Sequence, residues 1–256
     1  MIDLHFHLLP GIDDGPTTLG ESLTAAQAAA ADGVRTVAAT PHVREDHPRV
    51  RLHELRARCD ELNDLLAEKG AEIEVVSGGE VDLVWAQEAS DEDLRLVSYG
   101  QRGTDLLVET PYGPLLSTFD DFVFGLQVRG YRILLAHPER NPTFQEDPAR
   151  LAALVERGAL LQVSAGAVAA ARRKSSRSRR LATWLVERGL SHVIASDAHG
   201  FPSRGGPLSS AVAAVEAEVG ARAHWMVTAA PLAILAGEPL PPPPARLLKK
   251  RRLLSR

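Results

Sequence analysis

Short apolar runs alternate with helical stripes along most of this chain, and this alternation limits the fold more than any other feature of the sequence. About seven apolar runs are predicted as strands, and they span residues 2–6, 34–39, 73–77, 106–108, 132–136, 159–163 and 192–195. Segments with apolar residues at helical spacing lie between them, for example 19–32, 52–66 and 148–157. Near-continuous apolar strands joined by helices are typical of a covered parallel sheet. The sequence therefore predicts an α/β barrel or a close variant.

The composition limits the domain count, the compartment and the partners. A chain of 256 residues suits one α/β barrel, so we expect a single domain. The net charge of −4 lacks the basic excess that duplex binding normally needs, which disfavours nucleic acid as a partner. Because we find no leader and no apolar run long enough to cross a bilayer, we expect a cytoplasmic protein without a transmembrane segment.

The single cysteine, Cys59, excludes an internal disulfide and fits a reducing compartment. It lies within the apolar stripe of a predicted helix, so it is interpreted as a core residue. No arginine follows six residues later, where the phosphate loop of cysteine-based phosphatases requires one. Thiolate chemistry is therefore excluded.

The composition changes near residue 238. Proline is frequent from residue 239 to 244, and a basic run follows at 249–252. We interpret 1–237 as the folded domain and 238–256 as a Pro-rich and basic C-terminal tail, stiff and solvated. A structureless tail is favoured over one that docks on an acidic partner or on anionic lipid.

The first strand carries the motif D-x-H-x-H. Side chains two apart share one face of a strand, so Asp3, His5 and His7 are expected on one side, with the apolar residues of 2–6 on the other. Two imidazoles at this spacing can bind one divalent metal ion, and Asp14 in the following turn adds an oxygen ligand. A lone H-x-H is weak, because histidine-rich strands also arise as hydrogen-bonded core.

Residues that can bind a metal ion follow nearly all of the remaining predicted strands. In barrels of this class the catalytic groups gather at the carboxyl ends of the strands. The residues placed there, with those of the first strand, are His5, His7, Asp14, His42, Glu80, Glu109, His137, Asp197 and His199. Each has an ordinary structural explanation alone, but their joint placement favours a metal centre. The mixed imidazole and carboxylate set suits zinc, manganese or iron rather than calcium.

These motifs also carry a resemblance to a known family. D-x-H-x-H, T-P-H, G-x-E, a strand-end glutamate, A-H-P-E-R and S-D-A-H together resemble the polymerase and histidinol phosphatase (PHP) superfamily. Within it, the first sixteen residues are similar to bacterial metal-dependent protein-tyrosine phosphatases of capsule and exopolysaccharide operons. The similarity covers roughly 1–237 and implies a distorted TIM-like (β/α)7 barrel of the PHP type.

The resemblance implies a site with three divalent metal ions, manganese first, with iron or zinc as alternatives. One ion would be held by His5, His7, Glu80 and Asp197, another by Asp14, His42 and His199, and a third by Glu80, Glu109 and His137. Arg140 and Arg204 match positions of phosphate-binding arginines. Asp3 is expected to orient a ligand histidine.

The same resemblance implies the reaction and the partner. A metal-bridging hydroxide would attack the phosphorus of phosphotyrosine in a protein, most plausibly the tail of a bacterial tyrosine kinase that controls polysaccharide export. The proton donor is left open between a metal-free histidine and Asp13. The loop 43–49 and the segment 229–231 depart from the family pattern.

Other functions remain open from the sequence alone. One is a small-molecule phosphatase of the histidinol-phosphate type, or another phosphoesterase of the same superfamily. A nucleic-acid end-processing module is disfavoured by the lack of a basic groove, and a non-enzymatic scaffold by the complete ligand set. The sequence does not give the oligomeric state.

Overall fold

The structure is a computed structural model, and it describes residues 1–169, 176–202 and 206–245. Its strands are β1 Ile2–Phe6, β2 Thr36–Ala39, β3 His42–Val43, β4 Glu74–Ser77, β5 Glu80–Val81, β6 Asp105–Glu109, β7 Arg132–Ala136, β8 Leu160–Ser164 and β9 Val193–Ala195. Its α-helices are α1 Leu19–Ala31, α2 Leu55–Glu68, α3 Leu83–Glu88, α4 Asp91–Val97, α5 Phe119–Val128, α6 Pro142–Glu146, α7 Pro148–Glu156, α8 Ala165–Ala169, α9 Arg177–Arg188, α10 Leu208–Val219, α11 Arg222–Trp225 and α12 Ala229–Ala236.

The strands form two parallel sheets, ordered β1-β2-β4 and β3-β5-β6-β7-β8-β9. The two sheets meet where the first strand runs beside the last. The backbone N–H of Asp197 donates to the carbonyl of His5 at 2.9 Å, and that of His7 donates to the carbonyl of Ala198 at 2.9 Å. The prediction of an α/β domain with parallel strands is confirmed.

The second and third predicted strands are each followed by a further short strand that was not predicted. β3 follows β2 after Pro41, and β5 follows β4 after Gly78 and Gly79. A Cβ on Gly79 would lie 2.8 Å from Cγ2 of Val43, so only glycine permits this approach. Glu80 was expected at the end of the third strand. It instead opens a separate strand, in register with His42.

The expected alternation along β1 is wrong, because the strand contains an irregularity. Asp3 pairs with Val37 and Phe6 with Ala39, so three steps along β1 match two along β2. Leu4 therefore belongs to a different buried cluster from Phe6. Asp3 lines a cavity beside Phe6 and α1, whereas His5 lies among other polar side chains on a different side. A bulge of this kind re-aims side chains, here next to the polar site.

The core lies on both faces of the strands. In β6, Leu106 and Val108 belong to the larger apolar cluster and Leu107 to the smaller one. Both clusters are fully buried at these positions, as expected for a parallel sheet with covered faces. Cys59 is buried in the larger cluster, and burial raises the pKa of its thiol to about 12. The interpretation of Cys59 as an inert core residue is confirmed.

Side chains cap the start of several helices, but not the start of α5. Thr18 and Glu21 form a capping box at α1, with reciprocal side-chain and backbone hydrogen bonds. The sequence before α5 contains the capping pattern S-x-x-D at Ser117 and Asp120, but α5 begins after Thr118 without a side-chain cap. Asp120 instead accepts hydrogen bonds from Arg150, the nearer at 2.7 Å. A tertiary ion pair has therefore replaced the local motif.

The described part of the predicted tail contacts the domain. Leu240 packs against both apolar clusters, and the indole N–H of Trp225 donates to the carbonyl of Pro241 at 3.2 Å. The packed chain thus extends a few residues past the expected boundary at 237. The basic run at 249–252 lies outside the described residues. Among the helices that the structure describes, none is long and apolar enough to cross a membrane.

Candidate metal centre

Nine acidic and imidazole side chains from separate strands and loops converge at the carboxyl ends of the strands. We call them the ligand cluster, and they are His5, His7, Asp14, His42, Glu80, Glu109, His137, Asp197 and His199. They are the nine residues expected from the sequence. Most are buried, whereas the side chains of Asp14 and His199 are 56 % and 30 % exposed. The cluster is therefore a buried polar site that opens to solvent on one side.

Glu80 lies at the centre of the ligand cluster. Its Oε1 lies 2.8 Å from Nε2 of His137, and its Oε2 lies 3.0 Å from Nδ1 of His42 and 3.3 Å from Nε2 of His5. One fully buried carboxylate thus faces imidazoles from three different strand ends.

Asp197 forms a second point of convergence. Its Oδ1 lies 3.2 Å from Nε2 of His5 and 3.5 Å from Nε2 of His7. These two imidazole nitrogens lie only 3.1 Å apart. Nitrogens and carboxylate oxygens that point at a common space are typical of ligands around a cation.

The exposed side of the cluster is formed by Asp14, His42 and His199. Oδ1 of Asp14 lies 3.3 Å from Nε2 of His199 and 3.6 Å from Nε2 of His42. The ring of His7 stacks on that of His199 with centroids 3.9 Å apart. Near this side, a Cβ on Gly15 would lie 2.6 Å from the carbonyl oxygen of His7, so the acidic turn needs glycine there.

Two side chains outside the cluster fix the first two imidazoles. Nδ1 of His7 donates to Oδ2 of Asp13 at 2.7 Å, and Nδ1 of His5 lies 3.1 Å from Oε1 of Gln162. Because both partners accept the Nδ1 proton, Nε2 is the nitrogen that each ring directs at the cluster. Asp13 is thus an ionised acceptor rather than a proton donor: burial raises its pKa, but the hydrogen bond and charge of His7, together with the backbone N–H groups of Gly15 and His42, lower it overall.

Asp3 does not perform the orienting role expected for it. Its Oδ1 accepts backbone N–H groups from His5 at 3.3 Å and from Ser196 at 3.0 Å. It therefore ties β1 to the loop after β9 and shapes the backbone that carries His5. The imidazole itself is oriented by Gln162, which the sequence reasoning missed.

Two members of the cluster have left-handed backbone. His137 has φ 35° and Asp197 has φ 53°. Non-glycine residues in this region carry strain of about 1 kcal/mol or more, which persists only when the surroundings impose it. Their conformation keeps both side chains directed at the cluster.

The electrostatics of the cluster favour added positive charge. Burial raises the pKa of Glu80, but the charge on His5 and the hydrogen bond from His137 hold it well below its usual range. Burial likewise raises the pKa of Asp197, whereas His5, His7 and Arg140 lower it strongly. Burial lowers the pKa of His7, but hydrogen bonds to Asp13 and other acids raise it well above the ordinary value. The acids remain ionised and draw positive charge into the site.

The residues present fit divalent metal ions. Nδ1 of His42 and Oε2 of Glu80 are buried, lie 3.0 Å apart, and are not aligned for a hydrogen bond. Such unsatisfied buried atoms are costly unless something else binds them. Donor atoms fall into four overlapping groups within 4.8 Å: His7, Asp14, His42 and His199; His5, His7 and Glu80; His5, His137 and Asp197; and His42, Glu80 and Glu109. Imidazole with carboxylate suits zinc, manganese and iron.

Arg140 lies at the edge of the cluster, as expected for a group that binds substrate there. Its Nη2 lies 2.5 Å from Oδ2 of Asp197 and donates to Oγ of Ser164 at 2.9 Å, and its Nη1 donates to the hydroxyl of Tyr112 at 3.1 Å. The other predicted arginine, Arg204, lies outside the described residues.

Arg44 was not singled out from the sequence, although its loop was noted as atypical. Its Nη1 donates to Glu109 at 3.1 Å and its Nε lies 2.7 Å from Asp46. Burial raises the pKa of Glu109, and the nearby Glu80 raises it further, so a cation beside Glu109 is favourable. Arg44 and Glu109 are 65 residues apart in the chain, so only the folded structure reveals this pairing.

Comparisons with known proteins match nearly the whole chain. The family model for capsular polysaccharide synthesis, CpsB/CapC, matches residues 1–235. The tyrosine-protein phosphatase YwqE of Bacillus subtilis is 32 % identical over 253 residues, which is 99 % of this chain and 98 % of that protein. The tyrosine-protein phosphatase CpsB of Streptococcus pneumoniae is 25 % identical over 235 residues, which is 87 % and 92 % of the two chains.

A solved structure also matches nearly the whole chain. It belongs to a set of crystal structures of YwqE from Bacillus subtilis and CpsB from Streptococcus pneumoniae, described as unique metal-dependent tyrosine phosphatases. It matches with a TM-score of 0.83 and 30 % identity, covering 96 % of this chain and 100 % of that chain. A mutant organophosphorus hydrolase from Deinococcus radiodurans, with a TM-score of 0.54 and 13 % identity, shares the fold alone.

Proposed function

Because this chain belongs to the capsular polysaccharide synthesis CpsB/CapC family, we propose that its ligand cluster is the active site of a metal-dependent tyrosine phosphatase. The enzyme hydrolyses phosphotyrosine in proteins. It acts in capsule or exopolysaccharide production, and its substrate is the tail of a bacterial tyrosine kinase in the cytoplasm. The catalytic domain comprises roughly 1–237, closed as a distorted PHP-type barrel, with the Pro-rich and basic tail after it.

The observation that carries this proposal is the position of Glu80. Its two oxygens face His5, His42 and His137, which come from three different strand ends. A buried carboxylate shared in this way suits a ligand that bridges two cations. In a structural polar core each buried polar atom would have a hydrogen-bond partner, whereas Oε2 of Glu80 has none among the described residues.

The predicted assignment places three divalent ions, manganese first, among the nine residues of the ligand cluster. The grouping of His7, Asp14, His42 and His199 agrees with one predicted ion site, with His7 added. Three divalent ions bring a charge of roughly +6 against about −4 from four carboxylates, so the site keeps an excess that suits a phosphate dianion. When bound, such ions supply Lewis acidity and lower the pKa of coordinated water towards neutrality.

The protein groups around the cluster have separate roles. Arg140 donates to an equatorial oxygen of the phosphate and so meets the charge that grows there in the transition state. Asp13 and Gln162 keep the rings of His7 and His5 in the tautomer that binds metal. A tyrosine leaving group, with a pKa of about 10, needs less protonation than an alkyl alcohol.

The test is a phosphatase assay with the purified full chain, loaded separately with manganese, iron or zinc. Substrates are a phosphotyrosine peptide, a phosphoserine peptide of otherwise identical sequence, and histidinol phosphate. We expect metal-dependent release of phosphate from the phosphotyrosine peptide in preference to the other two, and loss of activity on chelation. Faster cleavage of histidinol phosphate, or activity unaffected by chelation, would overturn the proposal.

A further inference from the structure

An aromatic side chain lies exposed at the edge of the ligand cluster. Tyr112 is 62 % exposed, in the loop between β6 and α5. Its ring stacks on the imidazole of His137, with centroids 5.9 Å apart and planes inclined by 20°. With one face on His137 and most of the residue exposed, the opposite face of the ring is open to solvent.

The loop that carries Tyr112 is held on both sides of this residue. Nδ2 of Asn141 donates to the carbonyls of Pro111 at 2.6 Å and Gly113 at 2.9 Å. Asn141 is fully buried, and its Oδ1 caps α6. Because Asn141 directly follows Arg140 in the chain, one segment positions both the loop and Arg140. Hydrogen bonds therefore hold the backbone on both sides of Tyr112.

The contact between Tyr112 and Arg140 determines which part of a bound substrate lies beside the ring of Tyr112. Nη1 of Arg140 donates to the Tyr112 hydroxyl at 3.1 Å. A phosphate oxygen that accepts from the same guanidinium lies within hydrogen-bond distance of Arg140, and the first carbon of the ester substituent lies two bonds beyond the phosphorus, through the ester oxygen. The group esterified to the phosphate thus falls next to the ring of Tyr112. In phosphotyrosine that group is an aromatic ring, whereas in phosphoserine it is one methylene.

We propose that Tyr112 is a specificity-determining residue, whose open ring face packs against the aromatic ring of the substrate phosphotyrosine. This inference rests on the proposed function and names the group that selects an aryl phosphate. Offset or tilted packing between aromatic rings, with centroids about 4.5 to 7 Å apart, stabilises a complex beyond the burial of area alone. Because Tyr112 lies next to Arg140, its ring contacts the aromatic ring of the substrate only when the phosphate is bound to Arg140.

Two variants separate the ring from the hydroxyl. Tyr112→Phe keeps the ring and removes the contact with Arg140, whereas Tyr112→Leu keeps apolar bulk and removes the ring. Phe124→Leu is the matched control, since Phe124 is 60 % exposed on α5 and aromatic. The full chain loaded with manganese is titrated calorimetrically with phenylphosphonate and with methylphosphonate, which differ only in the substituent on phosphorus. Metal content is measured for every variant.

We expect Tyr112→Leu to weaken phenylphosphonate binding roughly 2- to 12-fold and to leave methylphosphonate binding and metal content unchanged. Tyr112→Phe should keep the preference for phenylphosphonate, and Phe124→Leu should behave as the wild type. Equal losses for both phosphonates, or no loss for either, would overturn the inference, because Tyr112 would then act through Arg140 alone or not at all.

Kinetics on the matched phosphotyrosine and phosphoserine peptides give the second readout. If the ring of Tyr112 packs equally well on the bound substrate and on the transition state, its removal in Tyr112→Leu should raise KM for the phosphotyrosine peptide and leave kcat unchanged. If the wild type cleaves neither peptide but prefers phenylphosphonate, and Tyr112→Leu loses that preference, the proposed function is refuted and the role of Tyr112 in binding an aryl group stands. If the wild type cleaves the phosphotyrosine peptide and KM is unchanged in Tyr112→Leu, the proposed function stands and the role of Tyr112 is refuted.

Discussion

The neighbouring strands β6 and β7 carry ionisable groups at both of their ends, and the two ends are built differently. At the amino end, Asp105 and Arg132 pair in register, with Nε of Arg132 2.5 Å from Oδ1 of Asp105. Nη1 of Arg132 also donates to the carbonyl of Glu238 at 2.7 Å. At the carboxyl end, Glu109 and His137 join seven other acids and imidazoles.

The difference between the two ends separates stability from function. At the amino end, one buried acid faces one permanent cation of the protein itself: burial raises the pKa of Asp105, and the hydrogen bond and charge of Arg132 lower it part of the way back. At the carboxyl end, burial and the second acid Glu80 both raise the pKa of Glu109. Buried acids gathered in this way require added cations, which agrees with the division of barrels into a catalytic face and a stabilising face.

Removing Glu80 should have the largest effect on activity. Glu80→Ala takes away the carboxylate that faces four imidazoles, those of His5, His7, His42 and His137, so metal should be lost and kcat/KM should fall at least about 10³-fold. Elemental analysis and phosphotyrosine peptide kinetics measure both. The control is Glu187→Ala, which removes an exposed acid of α9. Full metal occupancy in Glu80→Ala would refute its role as a ligand.

Arg140→Ala should reduce activity while leaving the metal ions in place. Loss of one preorganised donor to the transition state costs roughly 10²-fold in kcat/KM. Inorganic phosphate should also inhibit this variant less strongly than it inhibits the wild type. Unchanged kinetics, or metal loss that accounts for the whole effect, would return Arg140 to a structural role through its ion pair with Asp197.

Gln162→Leu should weaken metal binding without removing any member of the ligand cluster. The variant frees Nδ1 of His5, so the ring loses its fixed tautomer, and the apparent metal affinity should fall about 10- to 100-fold. Competition with a fluorescent chelator measures this affinity. Gln127→Leu is the control, because Gln127 bonds only a backbone carbonyl at the surface among its described contacts. Equal affinities in both variants would contradict the orienting role.

Arg132→Met should have the smallest effect on activity and a clear effect on stability. It leaves Asp105 buried without its cation, which should lower the free energy of unfolding by about 3 kcal/mol. Denaturant unfolding measures the loss. Metal content and kcat at a temperature where the variant is folded should equal those of the wild type. A fall in kcat under those conditions would break the separation between the two ends.

The regular parts of the fold were predictable from local pattern. The strand over 132–136 has the predicted bounds, and the helix expected over 148–157 is observed as Pro148–Glu156. Both have continuous apolar periodicity and clear ends, with Gly130 before the strand and Pro148 at the first helical turn. In contrast, α3 and α4, between residues 83 and 97, are too short to give a strong periodic signal and were not predicted.

The members of the site were predictable, but their mutual contacts were not. Strand ends place His42, Glu80 and His137 on one edge, which sequence order and the barrel rule are enough to predict. Gln162 and Arg44 contact the cluster across 157 and 65 residues of chain, so no local spacing reveals them. The bulge in β1 was also invisible, since it depends on pairing with β2.

Anomalous X-ray diffraction from crystals of the manganese-loaded full chain tests the central claim most directly. The account predicts three strong peaks within the ligand cluster, each within about 2.0 to 2.3 Å of its donor atoms, with Glu80 between two of them. Data without a peak among these nine residues, from protein that still hydrolyses phosphotyrosine, would contradict it.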